Sequence, residues 1–239
     1  MSHIERLLRI DLPARQSAFL WGPRKVGKST FLQSQFPESL RYDFLKSDTY
    51  FELSSRPWAL REQLAAQPEA LLDRPIILDE VQKVPALLDE VQWLIENRGL
   101  RFILCGSSAR KLKRGKANLL GGRAWRFEMF PLVFPEIRDF DLLRALTRGL
   151  IPSHYLQENH RRSLRAYVLD YLKEEVAAEG LTRNIPAFSR FFDAMAYSHG
   201  QLTNYSNIAR ECGVDSKTVR EYYQTLIDTL MGRLRVCHT

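Results

Sequence analysis

The sequence predicts an α/β protein: a parallel sheet flanked by helices, followed by an all-helical region with a helix-turn-helix. Three observations carry this. Through the first 135 residues, short apolar runs alternate with segments of helical period, the order expected of a parallel sheet covered on both faces. The apolar run Ser17-Ala18-Phe19-Leu20-Trp21 leads straight into Gly22-Pro23-Arg24-Lys25-Val26-Gly27-Lys28-Ser29, a complete G-x-x-x-x-G-K-[ST] phosphate loop with helix-forming residues behind it. From about residue 136 only helical periodicity follows.

Taken in order, strands are expected at 17–21, 39–45, 75–79, 101–106 and 124–130, with helices near 28–35, 56–67 and 86–97 between them. The runs Pro75-Ile76-Ile77-Leu78 and Phe102-Ile103-Leu104-Cys105 are almost unbroken in apolar residues, as in strands buried on both sides. The second part is expected to hold helices near 138–147, 161–178, 186–198, 205–212 and 216–231. Gly149 and Pro152 mark a junction, and the chain divides into a phosphate-loop domain at 1–136 and a helical region at 137–239. That region is expected to be C-terminally truncated, because only nine residues follow Leu230.

Composition narrows the class. With 45% hydrophobic and 26% charged residues, the chain can bury a sizeable core. No apolar stretch approaches the ~20 residues of a membrane span, and the N-terminus lacks the apolar core of a secretion signal. The three cysteines, Cys105, Cys212 and Cys237, are far apart and odd in number, which argues against a disulfide framework. A reducing cytoplasm is the expected compartment. The net charge of +7 is uneven: residues 151–239 carry a balance of +1 and residues 1–150 one of +6. Arg110, Lys111, Lys113, Arg114, Lys116, Arg123 and Arg126 supply much of the excess, with no acid between Arg110 and Arg126. Such a stretch is either a solvated basic loop or a surface for nucleic acid.

The chemistry is concentrated in two motifs. Backbone amides of Gly22 through Thr30 and the following helix N-terminus form a cradle for anionic phosphates. Lys28 is placed to reach the β- and γ-phosphates and Ser29 to hold Mg²⁺; Arg24 and Lys25 are loop side chains expected to point outward. About fifty residues on, Ile76-Ile77-Leu78-Asp79-Glu80 delivers a carboxylate pair at the end of a buried strand, where ligands bind in open α/β sheets. Asp79 is the candidate Mg²⁺ ligand through water, and Glu80 the candidate base for an attacking water. Ser107 or Ser108 follows the next strand and is either a γ-phosphate contact or a helix cap. Arg110 and Arg123 are candidates for an arginine finger, in the same chain or from a neighbouring copy.

The C-terminal stretch Asn204-Tyr205-Ser206-Asn207-Ile208-Ala209-Arg210-Glu211-Cys212-Gly213-Val214-Asp215-Ser216-Lys217-Thr218-Val219-Arg220 reads as a helix-turn-helix. Ala209 is small enough for close helix approach, Gly213 makes the turn, and Asp215 or Ser216 caps the second helix. A recognition helix would present Ser216, Lys217, Arg220 and Tyr223 to DNA, although this part is close to neutral and gives little phosphate attraction.

The phosphate loop, Leu78-Asp79-Glu80, Gly106-Ser107-Ser108-Ala109-Arg110, Gly121-Gly122-Arg123, Asn204-Tyr205-Ser206-Asn207-Ile208-Ala209 and Lys217-Thr218-Val219 occur together in one group. The chain resembles the uncharacterised prokaryotic AAA+-like P-loop ATPases that carry a C-terminal domain of unknown function beginning with a winged helix. The resemblance spans essentially all 239 residues. It implies ATP as nucleotide, a sheet ordered 5-1-4-3-2, and Ser107 or Ser108 as the polar sensor of the γ-phosphate. The leading expectation is a Mg²⁺-dependent ATPase whose nucleotide state moves the helical part. The alternative is a nucleotide-regulated DNA-binding protein, touching DNA through Lys217 and Arg220 or through the Arg110–Arg126 stretch. A homo-oligomer is a candidate assembly, because a finger working between copies requires one.

Overall fold

A computed structural model of the chain describes residues 4–107, 112, 120–178 and 184–233, with only the backbone of 170–178. Five parallel strands form one sheet: β1 (Ser17–Trp21), β2 (Arg41–Asp43), β3 (Ile76–Asp79), β4 (Phe102–Gly106) and β5 (Ala124–Glu128). Their spatial order is β2-β3-β4-β1-β5, the 5-1-4-3-2 order that the resemblance implies, read from the other edge.

Side chains alternate across the three central strands with the period of two that a pleated strand imposes. Phe19, Trp21, Ile76, Leu78, Phe102 and Leu104 face one layer, with Leu60, Leu64, Leu88 and Val91 packed over them. Those covering residues come from α3 (Ala59–Ala65) and α5 (Leu87–Arg98). Ala18, Leu20, Ile77, Ile103 and Cys105 face the other layer, covered by Phe31 and Leu32 of α1 (Lys28–Gln35) and by Ile10 and Leu12 of the N-terminal segment. Both faces are therefore dry, which is why these strands read as continuous apolar runs.

Two expected boundaries are corrected around β2. The strand is only Arg41–Asp43, and a helix the pattern did not show, α2 (Ser47–Ser55), follows it. Leu53 is its one fully buried residue, so no apolar stripe was there to read. The expected helix at 56–67 begins at Ala59, after Pro57-Trp58, and a further turn of helix, α4 (Glu69–Leu72), follows.

The second part is helical: α6 (Leu142–Arg148), α7 (Pro152–Leu156), α8 (His160–Ala178), α9 (Ile185–Tyr197), α10 (Tyr205–Cys212) and α11 (Ser216–Asp228). The expected helix at 138–147 starts later because Asp141 caps it, accepting from the Arg144 amide at 3.0 Å. Pro152, expected at a junction, opens α7 at its first position, where the missing N–H costs nothing. α9, α10 and α11 share a third core of Phe188, Phe191, Ile208, Ala209, Cys212, Val219, Tyr222 and Leu226. The turn between α10 and α11 falls at Gly213, whose φ is 67°, with Asp215 capping α11 through the Thr218 amide at 2.7 Å. α11 stops at Asp228, three residues short of expectation, because Leu230 turns left-handed and the Met231 amide bonds back to the Leu226 carbonyl.

Leu104 is wholly buried in the middle of β4. Leu104→Ala is expected to cost about 2–5 kcal/mol, read as a lower urea midpoint with an unchanged slope.

Candidate functional site

The ladder register sets the site. Trp21 pairs with Gly106, Cys105 with Asp79, and Asp79 with Asp43, so three strand ends and the phosphate loop open at one edge of the sheet. The loop is shaped by two glycines. A Cβ on Gly22 would lie 2.3 Å from the Met129 carbonyl oxygen, because the chain leaving β5 bonds the Met129 amide to the Trp21 carbonyl at 2.7 Å. Gly27 sits at φ 93°, a left-handed backbone that a Cβ disfavours. α1 therefore starts abruptly at Lys28, with no side-chain cap and no acid in its first turn. Its first amides are left pointing into the loop, an arrangement that suits an anion.

Lys28 is buried and folds back over the loop, its Nζ donating to the carbonyls of Gly22 at 2.7 Å and Pro23 at 3.0 Å. An ammonium has three donors, so those two contacts leave one for an incoming group. Ser29 Oγ donates to Asp79 Oδ2 at 2.6 Å, joining the two motifs that the sequence separates by fifty residues. Asp79 is 5% exposed, and its other oxygen accepts from the Glu80 amide at 3.1 Å.

Glu80 leaves the strand with φ 59°, an uncommon conformation for a residue with a Cβ. That turn carries its carboxylate sideways, to accept from Gln82 Nε2 at 2.5 Å. The same nitrogen reaches Ser107 Oγ at 3.3 Å. Ser107 is 2% exposed and lies immediately after β4. The sequence named Glu80, and Ser107 or Ser108, as candidates but not Gln82, which had no motif spacing to flag it; a polar residue between the buried Val81 and Val84 was the available signal. Cys105 lies under the same edge; burial first, and then Asp79, pushes its thiol well above its usual range, so it behaves as an inert core residue.

The outer side of the loop meets the helical region. Lys25 does point outward, its ammonium 5.5 Å from the centre of the Tyr167 ring, and the Tyr167 hydroxyl donates to the Arg24 carbonyl at 3.3 Å. His154 of α7 packs edge-on against the same ring at 5.2 Å. Burial, and then the Lys25 charge, lowers its pKa below the usual histidine value. Beside the loop lies a cavity of about 810 Å³, walled by Arg6, Lys25, Gly27, Thr30, Gln35 and Ser153 among others. Arg6 holds that wall together, donating to the carbonyls of Val26 at 2.8 Å and Phe130 at 2.6 Å and pairing with Glu136 at 3.0 Å.

Among the described residues, the other candidates are not brought to this edge. Arg123 stands at the opposite end of β5, where Ser17 pairs with Ala124, about 16 Å of strand away. It is paired with Glu96 at 2.7 Å. Arg126 is paired with Glu128 at 2.9 Å. Ser108, Arg110, Lys111, Lys113, Arg114 and Lys116 lie outside the described residues. On α11, Lys217 and Arg220 are exposed, with Arg220 lying over the Tyr205 ring at 5.2 Å. Tyr223 is corrected: it is buried against Phe191 rather than offered to solvent, because it falls on the face of α11 that carries Val219 and Leu226.

The donors fit a magnesium ion. One hydroxyl and one carboxylate in contact are hard oxygen ligands, and magnesium takes the rest of its shell from water and phosphate. Fold and site together define a P-loop nucleotide-binding protein of the α/β class. The chain belongs to the AAA domain family, whose model matches residues 14–138, and residues 139–238 match a domain of unknown function (DUF8612). Two uncharacterized proteins, from Mycobacterium bovis and Mycobacterium tuberculosis, are each 25% identical over 233 residues, covering 95% of this chain and 51% of theirs. The chain thus spans about half the length of these curated relatives.

Filling Gly22 tests the loop's construction. Gly22→Ala is expected to destabilise the fold by about 1–3 kcal/mol through overpacking against the Met129 carbonyl, seen as a lower urea midpoint.

Proposed function

We propose that the protein binds Mg·ATP in the phosphate loop, hydrolyses it, and passes the state of the nucleotide to its helical part. The observation that carries this reading is the 2.6 Å contact between Ser29 and Asp79. A hydroxyl and a carboxylate meet beside an anion cradle, where a nucleotide-bound cation needs oxygen ligands.

The triphosphate lies along the loop, against the backbone N–H groups of Gly22 and of Arg24 through Thr30. Lys28 moves from the carbonyls of Gly22 and Pro23 to the β- and γ-phosphates, exchanging neutral acceptors for charged ones, which form stronger bonds. Ser29 and Asp79 would hold magnesium, which would neutralise charge on the phosphate oxygens. Glu80 takes the proton of the water that attacks the γ-phosphorus, the bond from that phosphorus to the β–γ bridging oxygen breaks with ADP as leaving group, and Ser107 donates to a γ-phosphate oxygen. The cavity beside the loop receives the nucleoside; its volume is in the range of small-molecule sites. Arg123, at the far edge of the sheet, has no role in its own chain's site. A role between copies requires an oligomer.

Coupling follows from the loop's outer contacts. Arg24 and Lys25 move with any rearrangement of the loop, Tyr167 rests on them, and His154 packs against Tyr167. The helical part thereby senses whether the loop is filled.

Two variants test the assignment. Lys28→Ala is expected to weaken Mg·ATP binding about a hundredfold, measured by calorimetry. Glu80→Gln is expected to keep binding while lowering turnover by about 10²–10⁴; turnover at the parent rate would remove Glu80 as the base.

The exposed pair Lys217 and Arg220 favours a second reading, in which ATP is a switch for DNA binding. Replacing both with Ala is then expected to reduce the slope of log affinity against log salt by about 2. An unchanged slope would place any DNA contact elsewhere.

A further inference from the structure

Gln82 is the most deeply buried amide at the site, at 6% exposed, and none of the steps above employs it. Its two N–H donors are committed to Glu80 Oε2 at 2.5 Å and Ser107 Oγ at 3.3 Å. The amide cannot be turned over, because that would set its oxygen against the Glu80 carboxylate. Its Oε1 is left buried without a partner. It lies over Gly106, where an added Cβ would stand 2.2 Å from it. A buried acceptor without a partner is a cost to the fold, so stability does not account for an amide here.

We infer that Gln82 is a positioning residue that links the γ-phosphate sensor to the hydrolytic base. This deepens the ATPase reading and rests on it. Two consequences follow from hydrogen-bond direction. Ser107 Oγ accepts from Gln82, so its own hydrogen is turned away from the amide and is free to donate to an anionic phosphate oxygen. Glu80 spends one oxygen on Gln82, which holds its carboxylate in one orientation and leaves the other oxygen to accept from water. A single amide thus orders a donor for the γ-phosphate and an acceptor for the attacking water. It also connects them: a pull on Ser107 by the phosphate moves the group that holds Glu80.

The test compares the parent chain with Gln82→Met, Glu80→Gln and the double variant. It reads thermal midpoint, affinities for Mg·ATP and Mg·ADP, and turnover. Methionine keeps the volume and removes the unpartnered oxygen, so Gln82→Met is expected to fold with an equal or higher midpoint. Its turnover is expected to fall about tenfold to a hundredfold, the usual effect of losing a group that orients a functional residue. Its preference for ATP over ADP is expected to shrink severalfold, with ADP affinity unchanged, because only ATP offers the γ-phosphate that Ser107 reads. In the double variant the loss in turnover is expected to be less than additive, since both changes break one linkage.

Parent turnover and parent nucleotide preference in Gln82→Met would overturn the inference. A matched loss of ATP and ADP affinity together with a lower midpoint would assign Gln82 a packing role instead, and also overturn it. A parent chain without turnover would sink the hydrolysis reading separately. In that case the ATP-to-ADP preference of Gln82→Met still decides whether Gln82 sets the sensor.

Discussion

The site depends on the register of the ladder β3-β4-β1. Because Asp79 pairs with Cys105 and Trp21 with Gly106, the phosphate loop, the carboxylate pair and Ser107 leave the sheet at nearly one level. A slip of one residue would invert every side chain on the slipped strand, turning Asp79 away from Ser29 and Leu78 out of its core. The two buried faces forbid such a slip. Ile76, Leu78, Phe102 and Leu104 have one layer to fill and Ile77, Ile103 and Cys105 the other. Hydrophobic packing on either side of the sheet thereby sets the polar geometry at its edge.

At that edge the chain accepts uncommon local conformations. Lys25 and Glu80 both adopt positive φ although both have side chains. Each lies where the backbone must turn sharply out of a strand, and each turn serves an aim. At Lys25 it exposes the ammonium to Tyr167, and at Glu80 it swings the carboxylate toward Gln82. The surrounding packing holds these turns in place. Pro23 and Val26 are buried on either side of Lys25, and Asp79 and Val81 on either side of Glu80.

The helical part meets the loop through a small set of side chains. His154, Tyr167 and Lys25 pack in that order, and Arg6 ties the N-terminal segment to the Val26 carbonyl and to Glu136. Arg6 and Lys25 also wall the cavity beside the loop, together with Pro152 and Ser153 of the helical part.

By itself, the sequence determined the features whose causes are local. The phosphate loop was legible because its glycines and Lys28 are required at fixed spacing, and the strands because burial on both faces leaves continuous apolar runs. The turn at Gly213 was legible for the same local reason, and the cap was narrowed to Asp215 or Ser216, of which the structure uses Asp215. It did not show α2, whose single buried residue leaves no periodic stripe, nor the helical start at Pro152, which a proline signals as readily as a break. Tertiary structure alone decided what depends on distance through space. It placed Arg123 at the wrong end of β5 to reach its own loop, buried Tyr223, and set Tyr167 against the loop's outer side. It also brought Gln82 between Glu80 and Ser107. Spacing along the chain encodes turns and faces, but which strand ends meet is settled only when the sheet assembles and both of its faces are packed.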